Sequence, residues 1–79
     1  FTQKANDFFM QVYPVPAHNE LRVITKKDLV FTIYDANGKK VMQSMTNSSS
    51  NISKLQAGIY IIELANDNII IRRKFIKRQ

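Results

Sequence analysis

Short runs of alternating apolar and polar residues, separated by turn residues, constrain the fold of this 79-residue chain more than any other feature. Side chains on a strand point alternately to its two faces, so a period of two is typical of a half-buried strand. The clearest turn is Asp35-Ala36-Asn37-Gly38, where Asn-Gly separates two such runs and predicts a β-hairpin. No stretch keeps a period of 3.6 long enough for a helix. The pattern predicts an all-β protein.

The turn signals divide the chain into about seven short strands. The predicted strands cover residues 8–13, 21–23, 29–34, 41–45, 52–55, 59–64 and 69–77. Of these, 52–55 is only a short apolar segment with Ile52 and Leu55. The first is expected to end at Pro14 and Pro16, because proline lacks the N–H that a sheet needs. Val41 and Met45 are expected on one face of their strand, residues 46–51 in a polar loop, and residues 65–68 in a hairpin turn. Strands of this number and spacing predict an immunoglobulin-like antiparallel β-sandwich.

A local signature around Tyr60 sharpens this prediction. Leu55 and Gly58 precede Tyr60, as a Leu and a Gly turn precede the tyrosine corner of immunoglobulin-like sandwiches. The Tyr60 ring would then face inward with Ile62 and Leu64, while its hydroxyl bonds to nearby backbone. The alternative is an ordinary core tyrosine after a glycine turn, and both interpretations predict burial.

Composition limits the function classes. The chain is 44% hydrophobic, which is too apolar for a disordered tail, and it lacks the cysteines that a disulfide or thiolate metal site requires. It begins with Phe1 rather than Met, which favours an origin as a fragment of a longer protein. No cofactor is expected, because its two glycines form no phosphate-binding loop.

Candidate catalytic and metal-binding residues are few. His18 is the only histidine and has no nucleophile nearby in the sequence, and the aspartates lack the spacing of a calcium loop. We therefore expect no catalytic residues, no metal site and no enzyme. The net charge of +6 raises nucleic acid as a partner, but outside the C-terminus four of the six lysines fall in two pairs at turns, Lys26-Lys27 and Lys39-Lys40. No row of aromatic residues offers a stacking surface, so nucleic-acid binding is not expected.

The C-terminal residues carry an unusual pattern. Residues 72–79 hold five of the twelve basic side chains, and these flank Phe75 and Ile76. Such a strand is either an edge protected from aggregation or a segment displayed for recognition. We favour display. Terminal residues fray unless they are held, so Lys77, Arg78 and Gln79 are expected to contribute little packing.

Five ordered blocks of sequence resemble a known family, the type A C-terminal sorting domain of the bacterial type IX secretion system. They comprise residues 12–17, 21–23, 33–41, 52–60 and 74–77, and include Tyr13, Pro14, Pro16, Tyr34, Asp35, Gly38, Leu55, Gly58 and Tyr60. One departure is Val15, which stands between the prolines where the family usually has Asn.

The resemblance implies a secretion signal of Bacteroidota bacteria rather than an activity. Residues 1–8 would be the linker to an upstream cargo, and residues 9–79 the sorting domain. The cargo would cross the periplasm and reach the cell surface or the medium through the outer-membrane translocon, and a sortase-like cysteine peptidase would remove the domain. Recognition by the translocon would map to the last strand and tail, at Lys74, Phe75, Ile76, Lys77 and Arg78.

The sequence is compatible with two alternatives. The chain could instead be an immunoglobulin-like accessory module that binds carbohydrate or protein within a larger secreted protein. A terminal strand with a free edge can also pair with a second copy, which would give a homodimer.

Overall fold

The computed structural model describes residues 10–14, 17–66 and 69–79, and this part of the chain contains strands and no helix. None of it could therefore cross a membrane as an apolar helix. The strands are β1 (Met10–Tyr13), β2 (Glu20–Thr25), β3 (Val30–Asp35), β4 (Lys40–Met45), β5 (Ser49–Asn51), β6 (Gly58–Asn66) and β7 (Ile69–Lys77).

The strands form two antiparallel sheets that make a small β-sandwich. One sheet has the order β1-β2-β5 and the other the order β4-β3-β6-β7. The prediction of an all-β sandwich with seven strands is confirmed. Residues 8 and 9 of the first predicted strand lie outside the described part, and so do Val15 and Pro16. The last two strands pair with each other as expected, from Asn66 and Ile69 onward, and residues 67 and 68 of the predicted turn lie outside the described part.

The core lies between the sheets and follows the alternation seen in the sequence. Leu21 and Val23 of β2 are fully buried, as are Phe31 and Ile33 of β3. Among the described residues, the other buried apolar side chains are Met10, Ala17, Ile52, Tyr60, Ile62, Leu64 and Phe75. Burial of this kind is the main source of stability in so small a domain.

The Asp35–Gly38 turn joins β3 to β4 as predicted. The Gly38 N–H donates to the Asp35 carbonyl at 3.0 Å, and Asp35 Oδ1 accepts from the N–H groups of Asn37 and Lys39, each at 2.9 Å. Gly38 has φ of 86°, a left-handed conformation that favours glycine. The Asp35 carboxylate therefore fixes the turn that the glycine permits.

The tyrosine corner is confirmed. Tyr60 is only 7% exposed, and its hydroxyl donates to the Gln56 carbonyl at 2.6 Å. Ile62 and Leu64 share its inward face and are fully buried, while Leu55 is half-buried against the core. The hydroxyl thus anchors the loop before β6 to the strand itself.

The fifth strand does not lie where the sequence indicated. The sequence predicted a loop at residues 46–51 and a short apolar segment at residues 52–55. In the structure, Ser49–Asn51 form β5 and pair with Glu20–Arg22 of β2. Ser50 is buried there, and its hydroxyl lies 2.7 Å from that of Ser44. A hydrogen-bonded serine can take an inward position that an apolar pattern does not reveal.

The expectation that Val41 and Met45 share one face of β4 is wrong, because Val41 packs against the core and Met45 does not. Met45 lies opposite Val30 and is exposed, whereas Met42 lies opposite Ile33 and packs against the core. The register between β3 and β4 shifts beyond Ile33. Such a bulge adds one residue to a strand, so residues an even number of positions apart on either side of it no longer point to the same face. Val41 and Met45 therefore face different sides.

Candidate functional site: the C-terminal strand

β7 forms one edge of the four-stranded sheet and carries the predicted recognition residues. It pairs with β6 along its full length, from Asn66↔Ile69 to Gly58↔Lys77, with no register shift. Among the described strands, β6 is its only strand partner. Its other edge therefore faces away from the sheet.

Phe75 and Lys77 point into the sandwich. Phe75 is 1% exposed and lies opposite Tyr60, with the two rings stacked at a centroid distance of 5.6 Å and an interplanar angle of 23°. Lys77 is 4% exposed, and its Nζ donates to the Arg78 carbonyl at 3.1 Å. An aliphatic lysine stem can pack as an apolar group while its ammonium bonds to oxygen. Both side chains are thus part of the packed structure.

The segment after β1 holds the end of β7. Ala17 forms a parallel bridge with Lys77: the Ala17 N–H donates to the Ile76 carbonyl at 2.8 Å, and the Arg78 N–H donates to the Ala17 carbonyl at 2.7 Å. His18 Nδ1 lies 3.2 Å from the Gln79 carbonyl. The expectation that residues 77–79 contribute little packing is therefore wrong for Lys77, whereas the side chains of Arg78 and Gln79 are exposed. The terminus is held by residues about sixty positions upstream, a contact that local sequence patterns do not reveal.

The other tail residues point outward. Lys74 and Arg78 are exposed, and Ile76 is 42% exposed although it lies in a regular strand. Ile76 is opposite Ile59, another exposed isoleucine on the outer face of β6. The five candidate residues thus divide into an exposed set (Lys74, Ile76 and Arg78) and a buried set (Phe75 and Lys77).

A polar network crosses the centre of the same outer face. Arg72 on β7 donates through Nε to Glu63 Oε2 at 2.9 Å, and the Tyr34 hydroxyl donates to Glu63 Oε1 at 3.1 Å. The bond to Glu63 raises the pKa of Tyr34 above 10.0, because the charged carboxylate favours the protonated phenol. Opposite charges at matching positions of the last hairpin are the sequence signal for this pair, since Glu63 lies directly opposite Arg72.

The predicted motif at the end of β1 lies on the surface. Tyr13 is exposed and is joined to the exposed Pro14 by a cis peptide bond. Pro16 lies outside the described residues. Tyr13 and Pro14 are thus placed at the exit of β1, away from the packed face of the sandwich.

The described residues bring no group of three His, Cys, Asp or Glu side chains together as metal ligands. His18 is exposed and its only described side-chain hydrogen bond is to the tail. What the arrangement offers is a surface of cations and apolar side chains on an edge strand, which suits recognition by another protein.

A sequence model of one protein family matches residues 11–78, and the family is described as the secretion system C-terminal sorting domain. No curated protein and no solved structure matches the chain.

Proposed function

Because the chain belongs to the family of C-terminal sorting domains of type IX secretion, we propose that the translocon reads it at the C-terminal end of β7. Domains of this family are the C-terminal secretion signals of type IX cargo and do not form an enzyme family. The domain therefore directs an upstream cargo through the type IX machinery towards secretion or the cell surface.

The proposal rests on the alternation of exposed and buried side chains along β7. Lys74, Ile76 and Arg78 are exposed on an extended edge strand, so a receptor can reach two cations and one apolar side chain without unfolding the domain. Phe75 and Lys77 are buried beside them. In this proposal the exposed set contacts the translocon, and the buried set holds the strand in position. Cations on a protein surface accelerate encounter with an acidic receptor.

We propose further that the cargo passes through the periplasm and that a sortase-like cysteine peptidase removes the domain. Cleavage would fall in the linker formed by residues 1–8, which precede β1. The support is that the first described strand begins at Met10, so a cut before it leaves the described strands intact.

Pairing of two copies through β7 is the weaker of the proposed partnerships. The strand carries Arg72, Arg73 and Lys74 next to one another, so two copies would bring like charges together. Like charges on facing strands are destabilising. Sedimentation at increasing salt tests it, because screening should promote a dimer of this kind.

The test of the main proposal is secretion of an unrelated passenger. A fluorescent protein with a periplasmic signal is fused before residues 1–79 and expressed in a host with type IX secretion. We expect fluorescence in the medium or on the cell surface. Passenger retained in the periplasm, with the domain folded and intact, would contradict the proposal.

Matched charge reversals locate the signal within the domain. Lys74→Glu with Arg78→Glu should reduce secretion strongly while changing the free energy of unfolding by no more than about 0.5 kcal/mol, as for surface changes generally. Lys39→Glu with Lys54→Glu makes the same change in net charge at exposed sites in the Asp35–Gly38 hairpin and in the loop before β6. If the two double variants are secreted equally, the tail has no special role.

A further inference from the structure

β7 is the least protected of the four sheet edges in the described structure. The β1 edge has four residues and is followed by Pro14, and the β5 edge has only three. The β4 edge carries a register shift beside β3. Short strands, prolines and bulges are the usual protection against strand pairing. β7 has nine residues, no proline and no register shift, so apart from the Ala17 bridge at its end its protection is its cationic side chains.

The open part of this edge can be located from the Ala17 bridge. The Ile76 carbonyl and the Arg78 N–H both point towards Ala17, on the side of β7 away from β6. The N–H and C=O of a strand residue point to the same side, and the direction alternates along the strand. The backbone groups of Ile70, Arg72 and Lys74 therefore face the same open side. The bridge closes the edge at residues 76–78, and no described residue pairs with the open side of residues 70–74.

We propose that residues 70–74 of β7 bind an extended acidic segment of the secretion machinery by strand addition. The identity of the partner rests on the proposed function. The site itself is inferred only from the open edge of β7. The added strand would receive hydrogen bonds from the Arg72 and Lys74 amides and donate to their carbonyls. The Ala17 bridge shows that this edge already accepts a strand-like neighbour in parallel orientation.

The side chains of β7 define what the added strand must carry. Ile70, Arg72 and Lys74 share the outer face, and neighbours across a strand pair interact most strongly on a common face. Arg72 is bonded to Glu63, whereas Lys74 lies opposite Ile61 and has no ion-pair partner among the described residues. The added strand should therefore place an apolar residue beside Ile70 and acidic residues beside Arg72 and Lys74. A second copy of β7 would not meet this requirement.

Amide hydrogen exchange measured by NMR on the whole domain tests the proposal. The probe is a synthetic ten-residue peptide that carries valine, glutamate and glutamate at three successive positions of one face, in the order of Ile70, Arg72 and Lys74. The expected result is an alternating pattern: the amides of Arg72 and Lys74 gain protection, whereas those of Arg73 and Phe75, which face β6, stay as they were. A peptide N-methylated along its pairing edge has the same charge and should give no protection. Unchanged exchange of Arg72 and Lys74 at millimolar peptide overturns the proposal, and so does equal protection by the N-methylated peptide.

Two pairs of variants separate backbone pairing from charge attraction. Lys74→Gln and Lys74→Pro both lose the cation, but only proline loses the amide that faces the open edge. Lys74→Pro should therefore weaken binding well beyond Lys74→Gln, and its circular dichroism spectrum checks that the domain stays folded, since proline is tolerated on edge strands. Lys74→Glu should weaken binding about tenfold, because an attractive cross-strand pair becomes repulsive. Lys54→Glu, far from β7 in the sequence, should leave binding unchanged.

The secretion assay and the exchange experiment fail independently. Secretion of the wild-type fusion with no strand pairing in solution overturns strand addition and leaves the secretion signal standing. Loss of secretion for the wild-type fusion overturns the proposed function, whatever the peptide does.

Discussion

Ala17 and Lys77 lie side by side in a parallel bridge, which ties the segment after β1 to the end of the last strand. Ala17 is fully buried and Lys77 nearly so. The two flanking hydrogen bonds, to the Ile76 carbonyl and from the Arg78 N–H, make the terminus part of the sandwich. The end of the chain therefore contributes to stability as well as to the surface offered for recognition.

Deletion of residues 77–79 should destabilise the domain. The deletion removes the buried Lys77 stem, its pairing with Gly58 and the bond from Arg78 to Ala17. A loss of roughly 1–3 kcal/mol in the free energy of unfolding is expected, since each hydrogen bond contributes about 0.5–1.5 kcal/mol net. Urea unfolding measures it, with deletion of Gln79 alone as the near-neutral control. An unchanged midpoint for the longer deletion would mean that the bridge contributes no stability.

Lys77 should tolerate the loss of its charge better than the loss of its length. Lys77→Met keeps an unbranched stem and should change stability by less than about 1.5 kcal/mol, whereas Lys77→Ala leaves a void and should cost roughly 2 kcal/mol or more. Lys77→Met should also be secreted nearly as well as wild type, because its ammonium is buried. Lys74→Met is the exposed counterpart and should fold normally but be secreted less. If secretion is lost for Lys77→Met at wild-type stability, the translocon contacts the Lys77 ammonium.

Tyr60 should show two separable contributions to stability. Tyr60→Phe keeps the stacking on Phe75 but removes the bond to the Gln56 carbonyl, and should cost about 1 kcal/mol. Tyr60→Ala also removes the buried ring and should cost roughly 3–5 kcal/mol. Thermal or urea unfolding distinguishes the two. Equal stability of Tyr60→Phe and wild type would show that the corner hydrogen bond is dispensable.

Tyr34 should make stability depend on pH in the alkaline range. Its pKa is raised above 10.0 in the folded domain, first by the hydrogen bond to Glu63, then by partial burial and by the Glu63 charge, against an opposing effect of Arg72. A pKa that is higher in the folded state means that the protonated tyrosine stabilises the fold. This contribution is complete below the unfolded pKa of 10.0 and is lost as the pH rises through the folded pKa.

Glu63→Ala removes the cause of this shift. The pKa of Tyr34 should then fall towards 10.0, as followed by the ultraviolet absorbance of tyrosinate during a pH titration. Tyr34→Phe identifies which part of the absorbance change belongs to this residue. A Tyr34 titration that is the same with and without Glu63 would contradict the assigned hydrogen bond.

The features that depend on neighbouring residues could be predicted from the sequence. Gly38 and Asp35 determine their turn through local backbone and side-chain geometry, and the alternation of Phe31 and Ile33 identifies a buried strand face. The corner at Tyr60 was one of two interpretations of its sequence, and it could be recognised because Leu55, Gly58 and the partner Gln56 all lie within five residues of it. The resemblance that led to the family depended on several such local blocks in the correct order.

Features that depend on distant pairing were missed. Ala17 has no side-chain pattern to indicate that its backbone would join Lys77, and Ser50 does not resemble a core residue until Ser44 is placed beside it. The division of the tail into exposed and buried residues needed the register of β7 against β6, which the charge pattern alone does not give.

Because inward and outward side chains alternate along β7, neighbouring residues of this strand are under two different selection pressures. Substitutions at Phe75 and Lys77 are limited by the interior of the domain, whereas those at Lys74 and Ile76 are limited only by what binds outside. Sorting domains adapted to different receptors should therefore diverge at every second residue of this strand, and exchange of those outward residues alone should transfer receptor preference between otherwise unrelated copies of the fold.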